Sequence, residues 1–182
     1  MRVIAGHFKG RRLKTPTWEG LRPTSDKLRE TLFNILAPRV AGARVVDGFA
    51  GTGAVGIEAL SRGAAHVTFI EKNRRAAALI EENLNACGVE EGYTIRCADV
   101  VAALNGLPAA DAFDLILLDP PYDITTMTAV LDASARALAP GGLVVLEHAT
   151  RREPEPAAWL DPIRRVKSGD STLTFLVART LS

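Results

Sequence analysis

The chain has 182 residues, of which 47% are hydrophobic and 24% charged, a composition typical of a soluble globular protein with a core of ordinary size. No apolar run approaches the roughly 20 residues of a membrane span, and the first residues lack the long apolar region of a secretory signal. The two cysteines, Cys87 and Cys97, have no metal or redox spacing. We therefore expect one cytoplasmic domain over residues 1–182, acting as a monomer, with no membrane contact and no metal.

The net charge of +1 conceals an uneven distribution. Residues 1–29 carry eight Lys or Arg against two Asp or Glu, a local charge of +6, so the remainder sums to −5. This asymmetry favours a polyanion-facing segment, which we assign to residues 1–37, although a charge run can also be only a solvated basic face. The side chains expected to hold phosphates lie on a predicted glycine-broken hairpin over residues 2–13: Lys9, Arg11 and Arg12.

A helix is predicted directly after this hairpin and its connecting loop. Thr24 or Ser25 can cap it, its apolar residues recur at helical spacing, and we expect it to end before Pro38. Arg22 lies just before the cap. Its guanidinium and the first N–H groups of the helix would face one place, which suits an anion or the polar edge of a ligand.

From residue 44 onward, strands and helices are predicted to alternate. Strands are expected at 44–47, 66–70, 93–97, 115–118 and 143–147, with helices near 55–62, 74–87, 100–104 and 125–138. A turn at 140–142 precedes the fifth strand, and a closing antiparallel pair is expected at 163–167 and 172–178. Repeated βα units predict a Rossmann-like α/β fold, with a seven-stranded, mostly parallel sheet, one antiparallel strand and helices on both faces.

The fourth predicted strand is almost entirely apolar and ends in the sequence Asp-Pro-Pro-Tyr, residues 119–122. Prolines cannot continue the hydrogen bonding between strands, and they restrict the backbone conformation of the residue before them. This sequence therefore forms a stiff turn that presents a carboxylate, a backbone carbonyl and an aromatic ring. In an open α/β sheet, ligands bind beyond the carboxyl ends of the strands. The turn therefore predicts a site for a planar amine, formed by Asp119, Pro120, Pro121 and Tyr122.

The loop after the first strand spells G-x-G-x-x-G over residues 51–56, and Glu71 stands 20 positions after Gly51, where it would accept ribose hydroxyls. Taken alone, this fingerprint predicts NAD. Asp47 precedes the glycines, however, and its charge would oppose a pyrophosphate but attract an ammonium and a sulfonium. S-adenosylmethionine has both, with a ribose and no phosphate. The first-strand and loop residues expected to bind it are Asp47, Gly48, Phe49, Ala50, Gly51 and Gly53.

Further cofactor contacts are predicted from the ends of the next two strands. Asp99 would accept a hydrogen bond from the adenine amine and Val100 would donate a backbone N–H to the ring, although Asp99 can also be only a helix N-cap. Lys72, beside Glu71, belongs to the same predicted set. Arg22 and Thr24 complete it.

Together these motifs resemble class I S-adenosylmethionine-dependent methyltransferases of amino groups. More narrowly, the chain is similar to the RsmD family of bacterial 16S ribosomal RNA guanine-N2 methyltransferases. The segments that carry this narrower resemblance are Arg2–Gly6, Gly10–Leu13, Leu21–Asp26, Arg29–Asn34 and Glu58–Ala64. The opening block departs mildly, with Ala5 before Gly6 where the family has a second glycine.

The resemblance implies methyl transfer to a guanine N2 amine of 16S ribosomal RNA, within an assembling or assembled small subunit, with S-adenosylhomocysteine as the product. The Asp119 carboxylate and Pro120 carbonyl would each accept an N–H of the amine, and Tyr122 would stack on an unpaired or flipped base. Arg11, Arg12 and Lys9 would hold phosphates, and Arg22 would lie near the cofactor and the target base.

Other functions remain open at this point. The same tetrapeptide chemistry serves DNA amino methyltransferases, disfavoured because no target-recognition domain is added, and glutamine-modifying enzymes of release factors, disfavoured by the basic hairpin. An NAD-dependent oxidoreductase would explain the literal glycine fingerprint, but 182 residues leave no room for a substrate domain. A non-catalytic RNA-binding module would not need the polar site.

Overall fold

The computed structural model describes residues 1–18, 25–108, 111–121, 124–155 and 157–179. Five helices and seven strands lie in these parts of the chain. The helices are α1 (Asp26–Val40), α2 (Ala54–Ser61), α3 (Arg74–Cys87), α4 (Val100–Asn105) and α5 (Met127–Ala137). The strands are β1 (Arg44–Gly48), β2 (His66–Ile70), β3 (Tyr93–Arg96), β4 (Phe113–Leu118), β5 (Leu138–Ala149), β6 (Leu160–Ser168) and β7 (Ser171–Ala178). None of the helices in these ranges is long and apolar enough to cross a membrane.

All seven strands form one sheet in the order β3-β2-β1-β4-β5-β7-β6. Neighbouring strands from β3 to β5 pair in parallel, whereas β7 is antiparallel to both β5 and β6. The predicted fold class is therefore confirmed. The chain moves outward from β1 to β3 and then returns to β4 on the other side of β1. This reversal places a topological switch point, where open α/β sheets bind ligands, between β1 and β4.

The sheet is covered on both faces, which explains the apolar character of its central strands. Five of the six residues of β4 are buried, and Asp114 is the exposed one. One face packs against α1, α2 and α3, and the other against α4 and α5. Gly56 allows α2 to approach the sheet closely, because a Cβ there would lie 2.2 Å from Cε1 of Phe69.

The predicted bounds of α1 and β5 were wrong, and β6 begins at Leu160, three residues before its predicted start at residue 163. Helix α1 continues through Pro38 to Val40, because a proline in the last turn costs a single hydrogen bond and Val40 is buried in the core. Residues 140–142 do not separate α5 from a strand but lie within β5. They form an irregularity there, since Phe113 pairs with Leu138 and Leu115 with Leu143. Gly141 has a positive φ of 76° at this irregularity, but the pairing with β4 continues on both sides of it, so the predicted turn does not end the strand.

The N-terminal arm, defined as residues 1–14, is a hairpin with one antiparallel bridge between Arg2 and Arg12. It packs on α2 at Gly6, whose φ is +81° and where a Cβ would overlap the carbonyl oxygen of Ser61. The Oγ of Ser61 also accepts a hydrogen bond from the Phe8 N–H at 2.9 Å. Gly6 thus allows the arm to pack closely against α2, even though position 5, where the family has a second glycine, is Ala5.

A buried glutamate holds the arm to the rest of the fold. Glu58 of α2 accepts hydrogen bonds from the backbone N–H groups of Ile4, at 2.8 Å, and Ala5, at 3.0 Å. It also pairs with Arg62 at 2.8 Å and lies 3.8 Å from Nε of Arg29. Arg29 is fully buried, so it cannot belong to the exposed basic surface predicted from the charge of residues 1–29.

Candidate active site at the carboxyl edge of the sheet

A cavity of about 590 Å³ opens at the carboxyl ends of the parallel strands, across the switch between β1 and β4. Residues that follow β1, β2, β3 and β4 line it, as do residues at the end of β5, in the turn between β6 and β7, and at the start of α1. Most of the predicted site residues meet here because the carboxyl ends of parallel strands share one edge. Arg22, Thr24 and Tyr122 lie outside the described residues.

The loop between β1 and α2 turns sharply under the cavity. Phe49, Gly51 and Gly53 all have positive φ, at 61°, 54° and 77°. Such a φ is costly for a bulky residue such as Phe49 and is maintained only where the surroundings enforce it. The Ala50 N–H donates to the carbonyl of Ile70 at 3.0 Å, which ties the loop to the end of β2. Phe49, Ala50 and Gly51 line the cavity, whereas Gly48 and Gly53, which were also predicted to bind the cofactor, are not among its lining residues.

Asp47 is 3% exposed and lies at the base of the cavity. One carboxylate oxygen accepts a hydrogen bond from the Gly56 N–H at 2.8 Å. Burial raises the pKa of Asp47 well above its ordinary value, the Gly56 hydrogen bond opposes this shift, and the charges of Asp119 and Glu71 add to it. A cation in the cavity would relieve the cost of holding this charge.

Glu71 connects the glycine loop to the second strand. Its Oε2 accepts from the Gly51 N–H at 2.9 Å, and its Oε1 accepts from the Asn73 N–H at 2.8 Å. Each carboxylate oxygen can accept more than one hydrogen bond. The side chain is therefore fixed in place by the backbone, and it lines the cavity where a ligand with hydroxyl groups can reach it.

Asp99 is the N-cap of α4. Its Oδ1 accepts from the N–H groups of Val101, at 2.9 Å, and Ala102, at 3.2 Å. The capping alternative for this residue is thus confirmed, but it does not exclude ligand contact, because Asp99 and Val100 also line the cavity. Lys72 also lines the cavity.

The Asp-Pro-Pro turn follows β4 directly into the cavity wall. Asp119, Pro120 and Pro121 all line it. The Asp119 N–H approaches the carbonyl of Gly48 at 3.4 Å, which continues the pairing of β4 with β1 for one residue. The turn therefore faces the glycine loop across the switch point.

Several lining residues were not predicted as site residues. Ser25 was recognised in the sequence only as a possible helix cap. The turn between β6 and β7 gave a hairpin signal but no signal of a site. The lining residues that were not predicted are Trp18, Ser25, Leu28, Thr52, Ala54, Val55, Ile70, Asn73, Ala98, Glu147, Ser168, Asp170 and Ser171.

The charges around the cavity are strongly one-sided. Among the described residues that line it, Lys72 is the single Lys or Arg. The acidic ones are Asp47, Glu71, Asp99, Asp119, Glu147 and Asp170. Such a wall attracts a cationic ligand and repels a pyrophosphate. In the described parts of the chain, no group of three His, Cys, Asp or Glu side chains is arranged to hold a metal ion.

The predicted phosphate-binding residues lie apart from this wall. Lys9, Arg11 and Arg12 are exposed on the N-terminal arm, and none of the three lines the cavity. Lys14 of the same arm pairs with Glu82 of α3 at 2.8 Å. The exposed basic surface is therefore smaller than the charge of residues 1–29 suggested, and it is concentrated on the hairpin.

A doubly wound sheet with one antiparallel strand and a ligand cavity at the β1–β4 switch defines a Rossmann-like class I methyltransferase fold. The chain belongs to the family described as conserved hypothetical protein 95, whose profile matches residues 1–177. The predicted family resemblance is thereby confirmed.

Named relatives cover most of the chain. Ribosomal RNA small subunit methyltransferase D of Haemophilus influenzae is 37% identical over 153 residues, covering 81% of this chain and 78% of that protein. The protein of the same name from Escherichia coli K12 is 41% identical over 123 residues, covering 67% of this chain and 60% of that protein. The solved yhhF protein of Escherichia coli matches with a TM-score of 0.84 at 28% identity, covering 98% of this chain and 97% of that chain. A hypothetical protein of Thermus thermophilus matches with a TM-score of 0.81 at 32% identity, covering 98% of this chain and 99% of that chain.

Proposed function

We propose that this protein transfers a methyl group from S-adenosylmethionine to the exocyclic N2 amine of a guanine in 16S ribosomal RNA of the small subunit. The observation that carries the proposal is an acid-lined cavity at the switch point, with the Asp119–Pro121 turn in its wall. Two relatives that cover most of the chain are named ribosomal RNA small subunit methyltransferase D. As part of the same proposal, the protein works in the cytoplasm as a monomer, on an assembling or assembled subunit.

The residues around the cavity fit S-adenosylmethionine, which would supply an electrophilic methyl group on a sulfonium. Asp47 and the backbone of residues 48–53 would hold its ammonium end, Glu71 would accept from the ribose hydroxyls, and Asp99 with Val100 would bind the adenine beside Lys72. The competing NAD interpretation requires two phosphates among six carboxylates. Calorimetry with S-adenosylmethionine and with NAD separates the two, and we expect heat only from the former.

The amine side of the reaction depends on the Asp119–Pro121 turn. The guanine N2 lone pair is delocalised into the ring, so the amine is a poor nucleophile. The Asp119 carboxylate and the Pro120 carbonyl would each accept a hydrogen bond from one N–H of the amine. These two hydrogen bonds would hold the nitrogen in line with the methyl group of the cofactor and favour pyramidalisation of the amine. Orientation of this kind supplies up to roughly 7–11 kcal/mol in favourable intramolecular reactions. The proton then passes to Asp119 or to water.

The target base must leave its stack to enter the cavity. Tyr122, whose position lies outside the described residues, is proposed from the sequence to stack on the base, and Arg22 and Thr24, which also lie outside them, to lie near it. The arm carries Lys9, Arg11 and Arg12 on its exposed surface, where they would hold the flanking phosphates. In this proposal the basic arm binds the phosphate backbone of the RNA, and the acidic cavity binds the guanine amine and the sulfonium of the cofactor.

The decisive experiment maps methylated guanines in small-subunit RNA. Subunits and naked 16S ribosomal RNA from a strain lacking the gene would be incubated with the protein and labelled S-adenosylmethionine. We expect label at N2 of one guanine, with subunits the better substrate. Label on adenine or on subunit protein would reject the proposal.

The Asp47→Asn variant should weaken cofactor binding while stabilising the protein without ligand. Asparagine keeps an oxygen for the Gly56 N–H but removes the charge that burial disfavours. We expect the dissociation constant for S-adenosylmethionine to rise by about tenfold or more, equivalent to about 1.4 kcal/mol. The thermal midpoint of the ligand-free variant at neutral pH should exceed that of the wild type.

The contributions of Asp47 to stability and to cofactor binding should both change with pH in a definite direction. Because the pKa of Asp47 is raised in the folded protein, its contribution to stability is present at low pH and is lost as pH rises from the ordinary aspartate value through the raised one. A bound cation favours the ionised carboxylate, so cofactor binding should release protons in that window. Calorimetry in two buffers of different ionisation enthalpy measures this release, and equal release from the Asp47→Asn variant would contradict the assignment.

Charge reversal on the arm, Arg11→Glu with Arg12→Glu, should weaken RNA binding and flatten its dependence on salt. Loss of two phosphate contacts is expected to reduce the slope of log affinity against log salt by about two. The matched control is Arg39→Glu with Arg136→Glu, which makes the same change in net charge near the amino edge of the sheet. Equal losses from both pairs would indicate a general field effect and not an arm contact.

A further inference from the structure

Glu147 is a buried carboxylate in the cavity wall that the proposed chemistry does not use. It lies near the end of β5, is 8% exposed, and lines the cavity together with Asp119. Its Oε1 accepts a hydrogen bond from Oγ of Ser171 at 3.0 Å. A carboxylate is costly to bury, so its presence in the wall of a ligand cavity calls for a function.

The strand register places Glu147 beside the Asp119–Pro121 turn. Leu118, the last residue of β4, pairs with Leu146 of β5, so Asp119 directly follows β4 at the level where Glu147 continues β5. Leu117 is the partner of both Asp47 and Val145. Because residues two apart on a strand share a face, Asp47, Asp119 and Glu147 lie on the same face of the sheet. Glu147 therefore stands next to the amine site, on the side away from the glycine loop.

The edge of guanine offers two kinds of donor side by side, the 2-amino group and the adjoining N1–H. Adenine and cytosine present an unprotonated ring nitrogen at the corresponding place, and a carboxylate would repel it. We propose that Glu147 is the residue that selects guanine, by accepting the N1–H while the Asp119–Pro121 turn holds the amine. This inference rests on the proposed methyl transfer to guanine N2. The hydrogen bond from Ser171 orients the carboxylate for this contact.

The Glu147→Gln variant tests this role because the amide can donate where the carboxylate could only accept. The probe is 2-aminopurine, which keeps the amine but has an unprotonated N1. Once the methylated guanine has been mapped, synthetic RNA carrying guanine or 2-aminopurine at that position would be ligated into 16S ribosomal RNA. The measured quantity is the ratio of kcat/KM for guanine to that for 2-aminopurine.

We expect the wild type to prefer guanine by at least about tenfold, since a site built around a charged hydrogen bond rejects an analogue that lacks the donor. Glu147→Gln should bring the ratio close to one or below it, with binding of S-adenosylhomocysteine retained. The control is Glu153→Gln, the same chemical change at an exposed residue that pairs with Arg165, and it should keep the wild-type ratio. A merely structural role would lower both rates together and leave the ratio unchanged.

Each outcome distinguishes this inference from the function on which it rests. A wild-type ratio retained by Glu147→Gln overturns the role of Glu147 while guanine methylation stands. A wild type that methylates no guanine overturns the proposed function itself. If Glu147→Gln does not fold, the Ser171→Ala variant provides a second test, because it leaves the carboxylate in place without the hydroxyl that orients it. The preference for guanine over 2-aminopurine should still fall in this variant. An unchanged preference would also reject the proposed role of Glu147.

Discussion

Asp119→Asn is expected to lower turnover by about 10²- to 10⁴-fold, the range for loss of a positioned acid–base group, with nearly normal affinity for S-adenosylmethionine. The variant keeps the shape of the side chain, and Asp119 lies in the cavity wall beside the glycine loop. The amide replaces one accepting oxygen with a donor, so the guanine amine loses a partner and its orientation. Single-turnover methyl transfer measures the rate, and calorimetry measures the affinity.

The control for this change is Asp114→Asn on the same strand. Asp114 is exposed at the amino end of β4 and accepts a hydrogen bond from the Arg44 N–H at 2.8 Å, on the edge of the sheet opposite the cavity. Its replacement should leave turnover unchanged. If Asp119→Asn retained wild-type turnover, the catalytic role of the turn would have to be abandoned.

Glu58→Gln is expected to cause the largest loss of stability, about 3–5 kcal/mol, the cost of breaking a buried ion pair on one side. Glu58 is completely buried and accepts from Ile4, Ala5 and Arg62. Burial lowers the pKa of Arg29, and the charges of Asp26 and Glu58 work against that shift. A neutral side chain at position 58 would remove one of the two acidic groups that support the buried Arg29 guanidinium, leaving it the Asp26 pair, and would weaken the attachment of the arm.

Urea unfolding gives the change in free energy, and hydrogen exchange at the Ile4 and Ala5 amides shows whether the arm detaches first. The matched control is Glu82→Gln, which breaks the exposed pair between Lys14 and Glu82 that also joins the arm to the body. That pair should contribute about 0–1 kcal/mol because solvent screens it. Equal losses from the two variants would show that burial does not decide the strength of the attachment.

The regular parts of the fold could be predicted from the sequence because their signals are local. The bounds of β2 and α3 agree with those predicted, and Gly88 ends α3 in the left-handed conformation, with φ of 75°. The gathering of Asp47, Glu71 and the Asp119–Pro121 turn was also predictable, since parallel strands bring their carboxyl ends to one edge. The continuation of α1 through Pro38 was not, because burial of Val40 outweighs the local signal to stop.

By itself, the sequence determined a seven-stranded methyltransferase-like sheet, the glycine loop and the Asp-Pro-Pro turn, all of which follow from periodicity, glycine and proline within short windows. Only the tertiary structure decided that Arg29 is buried against Glu58, that Ser171 hydrogen-bonds Glu147, and that Glu147 stands beside Asp119. These contacts join residues 24 or more positions apart. They depend on which strands become neighbours and which face each side chain takes, and no local pattern encodes either of these.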